Sequence, residues 1–280
     1  MIKVAITGST GLIGTRIIEL LENDFDFIPI LQSEIDITNK DDVKKKLESI
    51  DFDILLHMAA YTNVDNAEKE KELAYSINVN GTKNIFEIVQ NKNKKLIYIS
   101  TDFVFDGKTS PYDENSKPKP VSYYGQTKLE GEKIVNNNAM IVRFSYPYRA
   151  VFDQKKDLVR GIKAMLEEKK PLQMVTDSVI TPTFIDDIAL SFKHLFNNYS
   201  PSTYHIVGAD SLSPFETGKL VAKYFRLDES LIKPITCAVY FKNKAKRPQY
   251  SEIKSINNNF YKMRSFEEGL TEVVKQLRNF

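Results

Sequence analysis

Tyr124 and Lys128 stand four residues apart in the run Tyr124-Gly125-Gln126-Thr127-Lys128. On a helix that spacing puts both side chains on one face. An ammonium beside a phenol stabilises the phenolate and lowers the phenol pKa from about 10 toward the working range, giving a proton donor and acceptor for a carbonyl and its alcohol. The pattern alone is common, because Tyr240/Lys244 and Tyr250/Lys254 match it too. Context singles out Tyr124, which alone of the three lies between two expected strands of the first half, with a Ser-Thr pair at the end of the strand before it. Gly8-Ser9-Thr10-Gly11-Leu12-Ile13-Gly14 has GxxGxxG spacing, where glycines permit a tight turn, let backbone approach a pyrophosphate and leave a helix N-terminus with its free amides aimed at the anion. Ser100-Thr101, followed by Asp102-Phe103-Val104-Phe105-Asp106-Gly107, offers a hydroxyl able to hydrogen-bond a substrate oxygen.

These three features need a frame that brings them to one edge. Over the first half of the chain short apolar runs alternate with longer amphipathic ones, the pattern of repeated βα units around a parallel sheet buried on both faces. Strands are expected at residues 2–7, 27–31, 53–58, 95–100 and 140–144, and helices at 15–22, 38–49, 67–89 and 124–135. Thr38 is expected to cap the second helix ahead of Asp41-Asp42. Parallel sheets place ligands at the carboxyl ends of their strands, so the glycine loop, Thr101 and Tyr124 can share a cleft. Beyond residue 146, Pro147, Pro171, Pro182, Pro201, Pro214, Pro234 and Pro248 punctuate helices expected near 158–168, 186–197, 214–225 and 265–278. The expected fold class is α/β, a Rossmann-type doubly wound parallel sheet with a smaller irregular C-terminal substrate-binding region. Residues 1–146 would form the dinucleotide-binding domain, with the chain returning to it around 172–198, and residues 147–280 mainly a substrate-binding α/β cap.

Composition excludes several other classes. Of 280 residues, 39 are basic and 37 acidic, a net charge of +2 that leaves no electrostatic footprint for nucleic acid. One Cys and three His form no ligand cluster, so no metal is expected, and the lone Cys suits a reducing cytoplasm. No stretch has signal-peptide character or the roughly 20 apolar residues of a membrane span, so no membrane partner is expected. His57, His194 and His205 are scattered, and no Gly-x-Ser-x-Gly elbow supports a hydrolase. The adjacent Asp186-Asp187 do not face each other on a helix and are read as helix-end residues. The lysine-rich stretch 242–247 reads as a solvated loop, in which Arg247 alone is a candidate to reach a nucleotide diphosphate.

Taken together these residues resemble the extended short-chain dehydrogenase/reductase superfamily. The resemblance covers nearly the whole chain: the glycine loop, Asp36-Ile37-Thr38, His57-Met58-Ala59-Ala60-Tyr61-Thr62-Asn63-Val64-Asp65, Asn78-Val79-Asn80-Gly81-Thr82, Ser100-Thr101-Asp102, Tyr124/Lys128 and Pro182-Thr183-Phe184-Ile185-Asp186-Asp187. Within the superfamily, the run from Ala59 to Asp65, the run from Ser100 to Gly107 and the late Arg247-Pro248 are most similar to dTDP-4-dehydrorhamnose reductases. The resemblance implies NADP- or NAD-dependent reduction of a 4-keto nucleotide sugar, with hydride from the nicotinamide and a proton from Tyr124. It implies Thr101, Tyr124 and Lys128 as the catalytic set: Thr101 holds the keto oxygen, Tyr124 delivers its proton, and Lys128 tunes Tyr124 while bonding the nicotinamide ribose. The cofactor would meet Gly8, Thr10, Gly11, Leu12, Ile13, Gly14, Asp36, Ile37, Ala59, Ala60, Tyr61, Asn78, Tyr124 and Lys128, with Asp36 at the adenine and Asn78 chiefly a structural support. Thr62, Val64, Thr101, Val104, Phe105 and Arg247 would meet the substrate.

The chain departs from the reductase pattern in two places. Arg143-Phe144-Ser145-Tyr146-Pro147-Tyr148-Arg149 stands for Arg-x-Ser-Trp-x-Tyr-Gly, without the Trp and the Gly, and Asp177-Ser178-Val179-Ile180 stands for Asp-Gln-x-Gly. Both leave the sugar's identity open. Leu31-Gln32-Ser33 carries neither the acid that bonds a ribose 2′-hydroxyl nor the Arg that favours a 2′-phosphate, so both cofactors are allowed. Two other readings use the same motifs: a nucleotide-sugar 4-epimerase with tightly bound NAD, and a non-catalytic cofactor-binding regulatory subunit. A 4,6-dehydratase would need Glu where Phe103 stands, and Phe can neither give nor take a proton. A homodimer is open.

Overall fold

In the first strand Val4 and Ile6 face one side and Ala5 the other, and all three are fully buried. A strand covered on both faces belongs in the middle of a parallel sheet. The computed structural model, which describes residues 1–278, has such a sheet. Its strands are β1 (Lys3–Thr7), β2 (Asp26–Ile30), β3 (Ile54–His57), β4 (Lys95–Thr101) and β5 (Met140–Phe144), and a later strand, Thr203–His205, extends it. All pair in parallel, and in space β2 precedes β1, then β3, β4, β5 and the late strand. The order reverses at β1, so the carboxyl ends of β1 and β3 open a crevice at the switch point. This is the expected doubly wound Rossmann-type class.

Helices cover both faces. α1 (Gly14–Leu21) lies on one side and α2 (Lys40–Glu48) on the other. Ile17 and Leu21 of α1 pack with Val4, Ile6 and Leu56, together with Phe192 and Phe196 from a later helix. Val43 and Leu47 of α2 pack with Ala5, Leu55 and Tyr98 on the opposite face. The cap of α2 differs from expectation by one residue. Asn39 accepts the amides of Asp41 and Asp42 at 3.0 and 3.3 Å, whereas the Thr38 hydroxyl donates to Asp36 at 2.7 Å. The turn at Asp36 occupies Thr38 and leaves capping to the next side chain.

The single helix expected over 67–89 is divided. α3 (Val64–Ala67) is capped by Asn63, α4 (Lys71–Tyr75) runs into a π turn over Ser76–Gly81, and α5 (Thr82–Asn91) follows. π turns cluster at functional sites because the extra residue re-aims side chains, and Asn78 sits in this one. α6 (Tyr123–Val135) follows β4 after a long excursion.

In the second half, short strands absent from the sequence reading form two parallel pairs. β6 (Pro147–Tyr148) meets Thr183–Phe184, and β7 (Leu172–Val175) meets Ile232–Ile235. Between and after them come α7 (Leu158–Glu167), α8 (Ile185–Asn197), α9 (Pro214–Phe225), α10 (Cys237–Tyr240) and α11 (Phe266–Arg278). Val159 and Ile162 of α7, Val221 of α9 and Leu270 of α11 share a core with Tyr148 and Met174, while α8 packs on α1 against the main sheet. No helix among the described residues is long and apolar enough to cross a membrane.

Candidate active site

The crevice at the switch point widens into a cleft of about 1340 Å³. The glycine loop lines it. Gly8 adopts φ +70°, and a Cβ there would lie 2.9 Å from the amide nitrogen of Ala59; one on Gly14 would lie 2.5 Å from the Gly8 carbonyl oxygen. Side chains are thus excluded where backbone from β1, β3 and α1 converges, and a diphosphate has a cradle of bare backbone. At the end of β4 the Ser100 hydroxyl is buried, borders the cleft and has no hydrogen-bond partner among the described residues. An orphan donor in the lining of a large cleft suits a bound polar molecule. Cradle and orphan together fit a dinucleotide.

Tyr124 reaches the cleft because α6 comes close to the turn after β4. Ser122 caps the helix by accepting the Gly125 amide at 3.1 Å, and Gly125 lies so near the Phe103 carbonyl oxygen that a Cβ there would collide with it. The Tyr124 ring meets Phe103 edge-on at 5.7 Å. Thr101, at the end of β4, donates to Asp102 Oδ1 at 3.0 Å, and Ser251 donates to Asp102 Oδ2 at 2.8 Å. Thr101, Tyr124 and Lys128 all border the cleft.

The electrostatics differ from the sequence expectation. Burial, with Asp102 adding to it and the Thr101 hydroxyl opposing, raises the Tyr124 pKa rather than lowering it. Lys128 is turned to the face of Tyr98, 4.2 Å from the ring centre, and burial lowers its own pKa to about 7, against the pull of Glu132. Desolvation outweighs any ion–phenol attraction here. Tyr124 is therefore a neutral phenol at neutral pH, with a proton to give. Asp102 is pushed up to about 6 by burial, opposed by hydrogen bonds from Ser251 and Thr101.

The remaining expected residues divide. Gly8, Thr10, Gly11, Leu12, Ile13, Gly14, Asp36, Ile37, Ala59 and Ala60, expected at the cofactor, border the cleft, and so do Thr62, Val64 and Arg247, expected at the substrate. Asn78 and Tyr61 stand behind the wall. The Asn78 side chain accepts the Tyr61 amide at 2.8 Å and donates to the Tyr61 carbonyl and to Thr127, which bolts the 59–61 segment to α6. The Tyr61 hydroxyl donates to Glu70. Val104 and Phe105 are not at the cleft: the 3-10 turn Asp102–Val104 carries them into a separate apolar cluster with Tyr112, Val207 and Ile253. Arg247 is braced by Asp65 at 3.0 Å and lies over the Phe241 ring.

Several cleft residues went unnamed as site residues in the sequence reading. Tyr146 holds φ +41° at the end of β5 and borders the cleft, as do Phe152, Gln154, Lys155 and Asp157. Tyr146 had a signal, since it occupies the Trp position of the reductase pattern. The 152–157 segment had none. Lys155 reaches across the mouth to Thr62 at 3.5 Å. Among the described residues no three His, Cys, Asp or Glu side chains gather as a metal site.

Comparison with known proteins agrees with this architecture. A dTDP-4-dehydrorhamnose reductase from Aggregatibacter actinomycetemcomitans is 30% identical over 90% of this chain and 90% of its own length. The methionine adenosyltransferase 2 subunit beta of Xenopus laevis is 28% identical over 84% of this chain and 75% of its own. A crystal structure of dTDP-4-dehydrorhamnose reductase from Bacillus anthracis in complex with NADP superimposes with a TM-score of 0.91 at 33% identity, over 99% of this chain and 100% of that one. The family described as RmlD substrate binding domain matches residues 2–279, and with the fold, the glycine cradle and the Thr101–Tyr124–Lys128 cleft in place, the chain belongs to that family.

Proposed function

We propose that the protein is an oxidoreductase that reduces the keto group of a 4-keto nucleotide sugar with NADPH or NADH, as dTDP-4-dehydrorhamnose reductases do. One observation carries the reading: a protonated Tyr124, a Thr101 hydroxyl and Lys128 border the same cleft as a glycine cradle. Bound nicotinamide cofactor supplies the hydride. The chain's own residues do the rest. Backbone amides of the glycine loop hold the diphosphate, Thr101 holds the keto oxygen, and Tyr124 gives that oxygen a proton as it gains negative charge. Lys128, which borders the cleft with its ammonium over the Tyr98 ring, orients the cofactor ribose. NADP is the cofactor named with the Bacillus anthracis structure, and Gln32 at the end of β2 bars neither form.

The test follows the cofactor through turnover. A reductase exchanges its cofactor, so the purified protein carries little of it and oxidises NADPH in step with product when given a 4-keto dTDP sugar. An epimerase returns the hydride to the same sugar, so near-stoichiometric bound NAD with isomerised sugar and no net oxidation rejects the reductase. Cofactor binding without oxidation by any 4-keto nucleotide sugar rejects it in favour of a regulatory subunit.

A further inference from the structure

Arg149 stands where the reductase pattern ends in glycine, so its side chain is an addition with no counterpart in that pattern. It does not point to solvent. The residue is 6% exposed, and its guanidinium reaches back to the other half of the chain. Nη1 donates to the Thr15 hydroxyl at 2.9 Å and to the Leu12 carbonyl at 3.3 Å, while Nη2 donates to both Glu19 carboxylate oxygens at 2.7 and 3.0 Å. Thr15 in turn donates through its hydroxyl and its amide to the Gly11 carbonyl, at 2.9 and 3.1 Å. Two consecutive carbonyls of the glycine loop are therefore held on the Arg149 side. A trans peptide points its C=O and N–H in opposite directions, so the amides of Leu12 and Ile13 are turned away from Arg149. Neither finds an acceptor among the described residues, and both residues border the cleft.

The charge has its own logic. A cation beside a helix N-terminus opposes the helix dipole, so the start of α1 works against the Arg149 charge. A bound diphosphate reverses that sign, because the same cation then adds to the field of the free amides. Glu19 offsets the charge while the cleft lacks an anion. On its other side the Arg149 amide donates to Asp157 at 3.1 Å, and its guanidinium faces the Phe152 ring at 5.7 Å. Both of those residues border the cleft.

We propose that Arg149 is a positioning residue of the diphosphate subsite: it holds the Leu12 carbonyl directly and braces the Thr15 hydroxyl that holds the Gly11 carbonyl, so that the amides of Leu12 and Ile13 stay aimed into the cleft, and it ties the glycine loop to the 152–157 segment across it. The inference rests on reading the glycine loop as a dinucleotide site.

Calorimetry with NADPH and with ADP-ribose, which has the diphosphate but no nicotinamide, tests it on three variants. Arg149→Ala should weaken both ligands by about tenfold, a step of one decade in Kd, and Arg149→Lys should recover part of that. In turnover the loss appears in the KM for cofactor more than in kcat. Glu19→Gln removes the offsetting charge but keeps the contacts with Leu12 and Thr15, so it should tighten both ligands by about two- to fivefold, the scale of a charge at a helix end. If Arg149→Ala does not fold, the opposite signs of Arg149→Lys and Glu19→Gln carry the same test. Parent-like binding by both Arg149 variants overturns the inference, and so does a Glu19→Gln variant that weakens binding, since a purely structural brace fails from either end. A parent protein that binds neither ligand overturns the dinucleotide reading itself, and this inference with it.

Discussion

The Lys128 ammonium lies 4.2 Å from the centre of the Tyr98 ring, and both side chains are buried. The ring face attracts a cation, but it returns only part of the hydration that burial removes. Burial accordingly brings the Lys128 pKa down to about 7, with Glu132 pulling the other way. An unfolded lysine titrates near 10.4. Between those values the folded chain binds fewer protons than the unfolded one, so this group makes stability rise with pH from about 7 to about 10.

Lys128→Met should therefore raise stability at neutral pH and remove that increment. Urea unfolding of parent and variant at pH 6.5 and pH 9 measures it. The expected result is a midpoint gain for the variant that is clearly larger at pH 6.5 than at pH 9. An equal gain at both values would mean that the buried ammonium keeps its proton throughout.

Tyr124→Phe should lower turnover by about 10²–10⁴-fold, the usual worth of a positioned general acid. The ring still packs on Phe103, and the lost hydroxyl would act on the substrate oxygen rather than on the diphosphate, so NADPH affinity should stay within about twofold. Near-parental turnover of the true keto sugar by the Phe variant would remove Tyr124 from the proton-donor role.

Asp102 supplies a prediction of opposite sign. Burial raises its pKa to about 6 against hydrogen bonds from Ser251 and Thr101, so in the folded state it holds a proton that an unfolded Asp gives up near 3.9. Its contribution to stability is complete below pH 3.9 and lost as pH rises through 6. Asp102→Asn should flatten this part of the pH–stability curve and cost little at pH 7. It should still slow turnover, because the Thr101 hydroxyl loses the carboxylate that orients it. Parental turnover with a flattened curve would separate the Thr101–Asp102 contact from the chemistry.

The sheet and the glycine loop at its edge were legible because their signals are local. Apolar runs mark strands buried on both faces, and a glycine where three backbone segments converge leaves its spacing in the chain. The meeting of Thr101 and Tyr124 at one cleft was legible through motif context. That Val104 and Phe105 pack away from the cleft was not legible, because a motif shows which residues travel together, not which way a 3-10 turn carries them. The Tyr124 pKa was misread for a related reason: four-residue spacing places Lys128 on the same helix face, but only the packing around Tyr98 shows where its ammonium goes. The second half was least legible. Strands such as Pro147–Tyr148 and Thr183–Phe184 are two residues long, too short for periodicity to register.

Gly125 and Gly161 make the sharpest paired prediction, because both lie within helices and differ in what an added methyl would meet. Alanine is a better helix former than glycine by about 0.8–1.0 kcal/mol, so propensity alone would make both Gly→Ala changes stabilising. At Gly161, in α7, nothing lies within 4 Å of the new carbon. Gly161→Ala should raise stability by about 1 kcal/mol and leave turnover as it was. At Gly125 the carbon would run into the Phe103 carbonyl oxygen and crowd Pro120 at 3.0 Å. The first turn of α6 must then retreat from the end of β4, and Tyr124 moves with it, away from Thr101. A misplacement of about 1 Å costs on the order of 10²-fold in rate. Gly125→Ala should thus lose stability despite its better propensity and lose turnover by about that factor. Thermal unfolding and steady-state rates of the two variants decide it. If Gly125→Ala gained stability and kept its rate, the close approach of α6 to the Phe103 turn would not be what seats the proton donor.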